Sequence, residues 1–329
     1  MEAVQKMGGT PLILAHLSDP HLPMTGGLPL RHLTLKRTLG YLNWQFRRKG
    51  AFSGTLVDRL IADIKEHEPD HVAVTGDLIN LGLPEELEAA TQWLNALGSG
   101  DEISVIPGNH DIYARFHRDP GVMRWRDYML SDAFGCQLGS DITAGAFGFP
   151  FVRRLGQVAL IGLNSGVPTP PFVAAGALGE AQLLGLPSVL QKLRELGLVR
   201  VVLIHHPPLA RQTSRRRGLR DAEALESVLK QHGAELVLHG HNHTNTLTWL
   251  QSQSGEIPIL GIASAGMASA AEGVGALGRY NLIRFTGEGE RCGIEVIGRG
   301  LAEVGGPIVE LDRRDLTRKD ELTAAVALE

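Results

Sequence analysis

The 329-residue chain has only two cysteines, Cys136 and Cys292, and they lie far apart. Two thiols so placed exclude a disulfide framework and read as small core residues in a reducing cytoplasm. No stretch approaches the ~18–20 uninterrupted apolar residues that a membrane-spanning helix needs. Met1 to Pro11 has one lysine and no long apolar run, so no secretory signal is expected. Neither sign of charge dominates: 32 Lys and Arg face 36 Asp and Glu, giving a net charge of −4. That balance gives no global pull toward nucleic acid and disfavours a DNA-processing enzyme with a long basic stripe. Internal repeats of the solenoid kind are absent as well.

What is present fits a globular α/β protein. The hydrophobic fraction is 43%, and 40 glycines imply many tight loops. Apolar, β-branched runs at Leu12–Leu17, His71–Thr75, Ile103–Ile106, Val158–Leu163, Val199–Ile204 and Glu235–Leu238 predict strands, several covered on both faces. Between them Leu56–His67, Glu85–Leu97, Glu180–Leu196 and Asp221–Gln231 carry leucines at helical spacing. After His243 only strands are expected, at Thr246–Leu250, Ile257–Ile262, Tyr280–Phe285 and Gly293–Ile297. The whole chain, 1–329, reads as a single domain. It carries a basic amphipathic insertion at about 22–55 and a polar peripheral tail at about 300–329, with a terminal helix possible from Asp315.

Five short blocks carry the chemistry, each at a predicted strand end: Asp19-Pro20-His21, Gly76-Asp77, Gly108-Asn109-His110-Asp111, His205-His206-Pro207-Pro208 and His239-Gly240-His241-Asn242-His243. Ligand sites in open α/β sheets lie beyond the carboxyl ends of strands. On extended backbone, residues at i and i+2 point to one side, so Asp19 with His21 and His241 with His243 are expected to converge. Gly76, without a side chain, lets the backbone come close to whatever Asp77 holds. Two carboxylates, one amide and four imidazoles exceed the four ligands of a tetrahedral zinc site. They suit two ions that share a carboxylate and a bridging hydroxide, which would attack phosphorus in line. Nitrogen and oxygen ligands without thiolate favour Mn, Fe, Zn or Co.

In this order D-x-H, G-D, G-N-H-D, H-x-P and G-H-x-H resemble the calcineurin-like metallophosphoesterases, over roughly Ile13 to Phe285. The resemblance implies a four-layer α-β-β-α sandwich with a dimetal site at the C-terminal ends of the strands. It implies that Asp19, His21, Asp77 and His243 hold one ion. Asp77, Asn109, His205 and His241 would hold the other, with Asp77 bridging. His205 is preferred to His206 because the family's ligand stands two residues before the proline, and His239 is expected to serve neither ion. His110 would stabilise a phosphoryl oxygen, oriented by the carboxylate of Asp111. Leu163-Asn164-Ser165, Gly176-x-Leu178-Gly179 and Gln182 resemble the bacterial cyclic-nucleotide and glycerophosphodiester branch, with Asn164 where that branch has aspartate.

The expected activity is dimetal phosphohydrolysis, with a phosphodiester as the favoured substrate. The alternative within the class is a pyrophosphate bond in a nucleotide-linked lipid precursor, as in the related UDP-diacylglucosamine hydrolases. The alternative outside it is a metal-binding scaffold without catalysis. Arg211, Arg215 and Arg220, just after the His205 block, are candidate phosphate ligands. The insertion holds Arg31, Lys36, Arg37, Arg47, Arg48 and Lys49 and no acid, with Leu35, Leu39, Leu42 and Phe46 on one helical face. It is either a helix docked on the body or a cap for an anionic or lipid-linked substrate, which leaves open contact with the inner face of a membrane. Gly273 to Gly278 spells G-x-G-x-x-G but lacks the strand before and helix after that a dinucleotide site requires.

Overall fold

The computed structural model describes residues 11–24, 26–114, 119–138, 148–269 and 276–318. Among these, twelve strands form two six-stranded sheets. In the first, β1 (Leu12–Leu17), β2 (His71–Val74) and β3 (Ile103–Val105) run parallel. Three antiparallel strands extend it on the β1 side: β10 (Arg279–Thr286), β11 (Gly293–Leu301) and β12 (Ile308–Asp315). In the second sheet β5 (Val158–Gly162), β6 (Val199–Leu203), β7 (Leu236–His239) and β9 (Gly255–Gly261) are parallel. The edges are the antiparallel β4 (Phe151–Leu155) and β8 (Thr246–Ser252).

Side-chain alternation along the second sheet builds the layers. Val199, Val201, Leu203, Leu236 and Leu238 join an apolar cluster shared with Leu14, Leu17 and Val74 of the first sheet. Their neighbours Val202, Ile204 and Val237 face the other way, onto α5 (Glu180–Glu195) and α6 (Ala222–His232). Helices α2 (Gly54–Glu66) and α3 (Pro84–Leu97) bring Leu56, Leu60, Ile64, Leu87 and Leu94 to the first sheet. The result is the helix-sheet-sheet-helix sandwich that the resemblance implied. Two further helices, α1 (Leu35–Asn43) and α4 (Ala133–Gln137), lie outside the layers' main run.

Two strands differ from the sequence reading. β4 was not expected, because Arg153 breaks its apolar pattern. That side chain is nevertheless buried, with Nε and Nη2 donating to the carbonyls of Leu130 (2.8 Å) and Asp127 (2.7 Å). The polar tail from residue 300 is corrected too: Leu301 ends β11, and 308–315 forms the edge strand β12. Its Arg and Glu content reflects an exposed edge, where Arg313 pairs with Glu295 at 2.7 Å. Asp315 ends that strand, and the helix proposed to follow falls largely on 319–329, outside the described residues. Of the Gly273–Gly278 loop, residues 273–275 lie outside the described residues too.

Candidate metal centre

All five blocks lie just past carboxyl ends of parallel strands: β1, β2 and β3 in one sheet, β6 and β7 in the other. Three groups of donor atoms result, each within 4.8 Å: Asp19, His21 and His243; His21, Asp77 and His110; Asp77, His205 and His241. Asp77 belongs to two of them, its Oδ2 lying 4.0 Å from His21 Nε2 and 3.3 Å from His205 Nε2. Asn109 Oδ1 is 3.3 Å from His205 Nε2, and His243 Nε2 is 3.1 Å from Asp19 Oδ1. All the expected ligands therefore come together. His206 turns away, bonding Ser165 Oγ (2.8 Å) and the Ala174 carbonyl (3.1 Å), and buried His239 bonds the Gly240 carbonyl.

Convergence arises differently from the sequence argument. Asp19, His21, Asp77, His241 and His243 are not extended; their φ angles are 53, 42, 55, 69 and 54°. Left-handed backbone at non-glycine residues is costly and is held only where the surroundings impose it. One imposed contact is the approach of the β2 and β3 loops. A Cβ on Gly76 would stand 2.6 Å from the Gly108 nitrogen and 2.8 Å from His205 Nδ1.

The histidine tautomers suit metal binding. His21 Nδ1 donates to the Ile79 carbonyl (3.1 Å), His205 Nδ1 to that of Thr75 (2.6 Å), and His110 Nδ1 to that of Asn80. Each carbonyl assigns the proton to Nδ1 and leaves the Nε2 lone pair facing the carboxylates. Imidazole nitrogens thus meet at short range, with His21 and His243 Nε2 atoms 3.4 Å apart and His205 Nε2 3.3 Å from His241 Nδ1. Buried nitrogens and carboxylates gathered this closely form a donor set that fits divalent cations. Burial opposes ionisation of Asp77, but His205 and His110 hold its carboxyl well below the usual range. Burial likewise lowers His205, yet Asp77 raises it to about 9, so a proton on Nε2 competes with a cation for that lone pair.

Asp111 does not orient His110, contrary to the resemblance. Its carboxylate accepts the backbone N–H groups of Asp77 (2.8 Å), Leu78 (2.9 Å), Ile79 (3.2 Å) and Gly108 (2.8 Å). Glu86 takes over where Asp111 stops, accepting from Asn80 (2.9 Å), Leu81 (3.0 Å) and Leu83 (3.0 Å). Two buried carboxylates therefore fix the irregular loop that presents Asp77.

Among known proteins, the family model described as calcineurin-like phosphoesterase matches residues 12–245, which span every one of these blocks. The chain belongs to the calcineurin-like phosphoesterase family. Members of this family typically bind two divalent metals. A curated relative is the glycerophosphodiester phosphodiesterase GpdQ of Enterobacter lignolyticus, 34% identical over 105 residues. That match covers 32% of this chain and spans about a third, 31%, of the relative. A dimetal phosphatase from Danio rerio has a similar fold, with a TM-score of 0.60 at 15% identity over 94% of this chain and 99% of that one. A purple acid phosphatase from yellow lupin gives 0.53 at 12% identity, covering 94% and 54% of the respective chains.

Around the candidate metal centre opens a cleft of about 910 Å³. Of the arginine-rich loop, Arg217 lines it, with Nη2 3.2 Å from the His241 carbonyl. Arg211, Arg215 and Arg220 are exposed and do not line the cleft, so their expected place beside phosphate is corrected. The sequence reading passed over Phe52, whose ring packs edge-on 4.9 Å from His21, and Tyr113, stacked 5.8 Å from His110. Neither stands in a motif, and only the fold brings them in. Asn164 is also explained: its Oδ1 accepts the Gly166 N–H (2.9 Å), while Gln182 bonds its backbone on both sides. Among the described residues no helix is long and apolar enough to cross a membrane.

Proposed function

We propose that this phosphoesterase is a dimetal phosphodiesterase. Asp19, His21, Asp77 and His243 would hold one ion, and Asp77, Asn109, His205 and His241 the other. The observation that carries the reading is the shared position of Asp77 between two donor groups. When bound, Mn, Fe, Zn or Co ions would supply charge neutralisation and a water whose pKa falls toward ~7. The chain's own part is to place the phosphorus and receive developing charge. His110, with Nδ1 committed to Asn80, would direct Nε2 into the cleft region of Asp77 and His21, where in its doubly protonated form it would donate a hydrogen bond to a phosphoryl oxygen. Hydrolysis consumes one water: its oxygen bonds phosphorus, the ester P–O bond breaks, and the proton ends on the leaving alcohol. Preference for a diester rests on the partial match to GpdQ.

The test is reconstitution with Mn, Fe, Zn or Co, counting bound ions and assaying bis(p-nitrophenyl) phosphate, p-nitrophenyl phosphate and a dinucleoside pyrophosphate. Two ions per chain with fastest turnover of the diester are expected. Preference for the pyrophosphate would replace the substrate assignment. Two bound ions with no hydrolysis of any compound would make the protein a metal-binding scaffold.

A further inference from the structure

Ten large apolar side chains are exposed among the described residues, and six of them are Leu30, Leu33, Leu35, Leu42, Phe46 and Phe172. The first five lie in or beside α1 and the turn of π-helix that continues it, Trp44–Arg48. Single exposed leucines need no explanation. These are concentrated: Leu42, Phe46 and Phe172 line the same cleft as Asp77, Asn109 and His241. Phe46 is 80% exposed and Phe172 78%. Concentrations of this kind mark binding surfaces.

Phe172 adds an independent observation. It follows Pro170-Pro171 and has a φ of 62°, a left-handed conformation that a bulky side chain rarely adopts. The loop is pinned behind it by Ala174 N–H on the Arg216 carbonyl at 2.8 Å. Strained backbone displaying an aromatic ring to solvent is characteristic of ligand clamps. The cleft is also large, at about 910 Å³ near the top of the ~300–1,000 Å³ range of whole small-molecule sites. Its polar floor and apolar mouth are complementary to one kind of molecule, a phosphate with an apolar extension.

We infer that the substrate is an amphiphilic phosphoester. Its phosphate lies over the floor, and an alkyl or acyl chain runs out between α1 and Phe172. This rests on the phosphodiesterase reading for the chemistry but not for the binding. A free short-chain ester and a membrane lipid share the required chemistry, so the experiment uses both.

Methyl, butyl and octyl p-nitrophenyl phosphodiesters, kept below their critical micelle concentrations, are compared on the metal-loaded enzyme. A fully buried methylene is worth about fourfold in affinity. With the chain only partly covered, kcat/KM is expected to rise about tenfold or more from methyl to octyl. Phe46→Ser and Phe172→Ser, in separate segments that both line the cleft and both exposed, are each expected to reduce that gain severalfold. Calorimetric binding of octylphosphonate against methylphosphonate gives a readout independent of turnover, and the octyl compound is expected to bind at least about tenfold tighter. Equal binding and a flat chain-length profile overturn the inference and leave the phosphodiesterase reading intact. The reverse result, tighter octylphosphonate binding without hydrolysis of any diester, supports the cleft assignment and removes the proposed reaction. Association with phosphatidylglycerol vesicles but no gain for monomeric octyl esters also overturns it, making the apolar rim a membrane contact.

Discussion

Asp77 and Asp111 are both buried carboxylates within one site, yet their partners give them different work. Asp77 faces imidazoles and carries the shared position between donor groups. Asp111 faces backbone N–H groups and holds the loop on which Asp77 stands. Three substitutions separate these roles from that of His110. Asp77→Ala is expected to lose both ions. His110→Ala is expected to keep two ions and lose about 10²–10⁴-fold in kcat. Asp111→Ala strands up to four N–H donors, each worth about 1–3 kcal/mol when buried without a partner. It should lower stability and weaken metal binding together, with turnover per bound metal less affected. Metal counting, urea unfolding and diester hydrolysis on the three variants check this, and loss of metal from His110→Ala would make His110 a ligand. The ligand types were legible in the sequence because Asp, Asn and His recur after glycine or beside proline at strand ends. The role of Asp111 was not, since the acceptors of backbone N–H groups leave no mark on residue identity. Nor was the left-handed backbone of Asp19, His21, Asp77, His241 and His243, where glycine or asparagine would be the ordinary choice.

At the scale of elements, α1 shows how an insertion becomes a wall of the cleft. Arg37 donates to the carbonyls of Leu81 (Nε, 3.3 Å) and Gly82 (Nη2, 2.7 Å), in the loop fixed by Glu86. Lys36 Nζ reaches the Tyr113 carbonyl (2.6 Å) and Thr169 Oγ1 (3.1 Å), bridging the His110 segment and the Phe172 loop. These bonds use two of the six basic residues that the sequence places in the insertion, while the apolar stripe is left facing the cleft and solvent. A helix held by so few polar contacts should open locally. Arg37→Ala is expected to speed amide exchange across residues 35–48 by about 10- to 150-fold, corresponding to the ~1.5–3 kcal/mol of charge-assisted hydrogen bonds, with little change in the global unfolding midpoint. Uniform protection in wild type and variant would place the helix's stability elsewhere. The parallel strands and their covering helices were legible because each strand is apolar on both faces and each helix keeps its leucine spacing. β4 and β12 were obscured by arginine and glutamate, which serve hydrogen bonding at a sheet edge where periodicity carries little information.

For the whole molecule, the buried histidines set the response to acid. Burial pushes His16, His71 and His206 down to about 3 and His239 to about 4, so all four are neutral in the folded protein at pH 6. In the unfolded chain their pKa returns to ~6.5. Between about pH 4 and 6.5 the unfolded state therefore binds more protons, and stability rises with pH across that window. Each group contributes up to about 1.4 kcal/mol per pH unit there, lost as pH falls below about 6.5. His205 has the opposite sign. Raised to about 9, it stabilises fully below about 6.5, and that contribution disappears as pH rises through 9. His71 isolates the acid effect, because it sits in β2 with Nε2 on Ser104 Oγ at 2.8 Å, away from the donor groups. His71→Gln retains a hydrogen-bonding side chain but cannot titrate. Urea unfolding at pH 4, 5, 6 and 7 should show the wild type losing stability more steeply than the variant, by about 1 kcal/mol per pH unit at the acid end. Parallel pH profiles would mean that His71 protonates in the folded state, against its burial between two sheet strands.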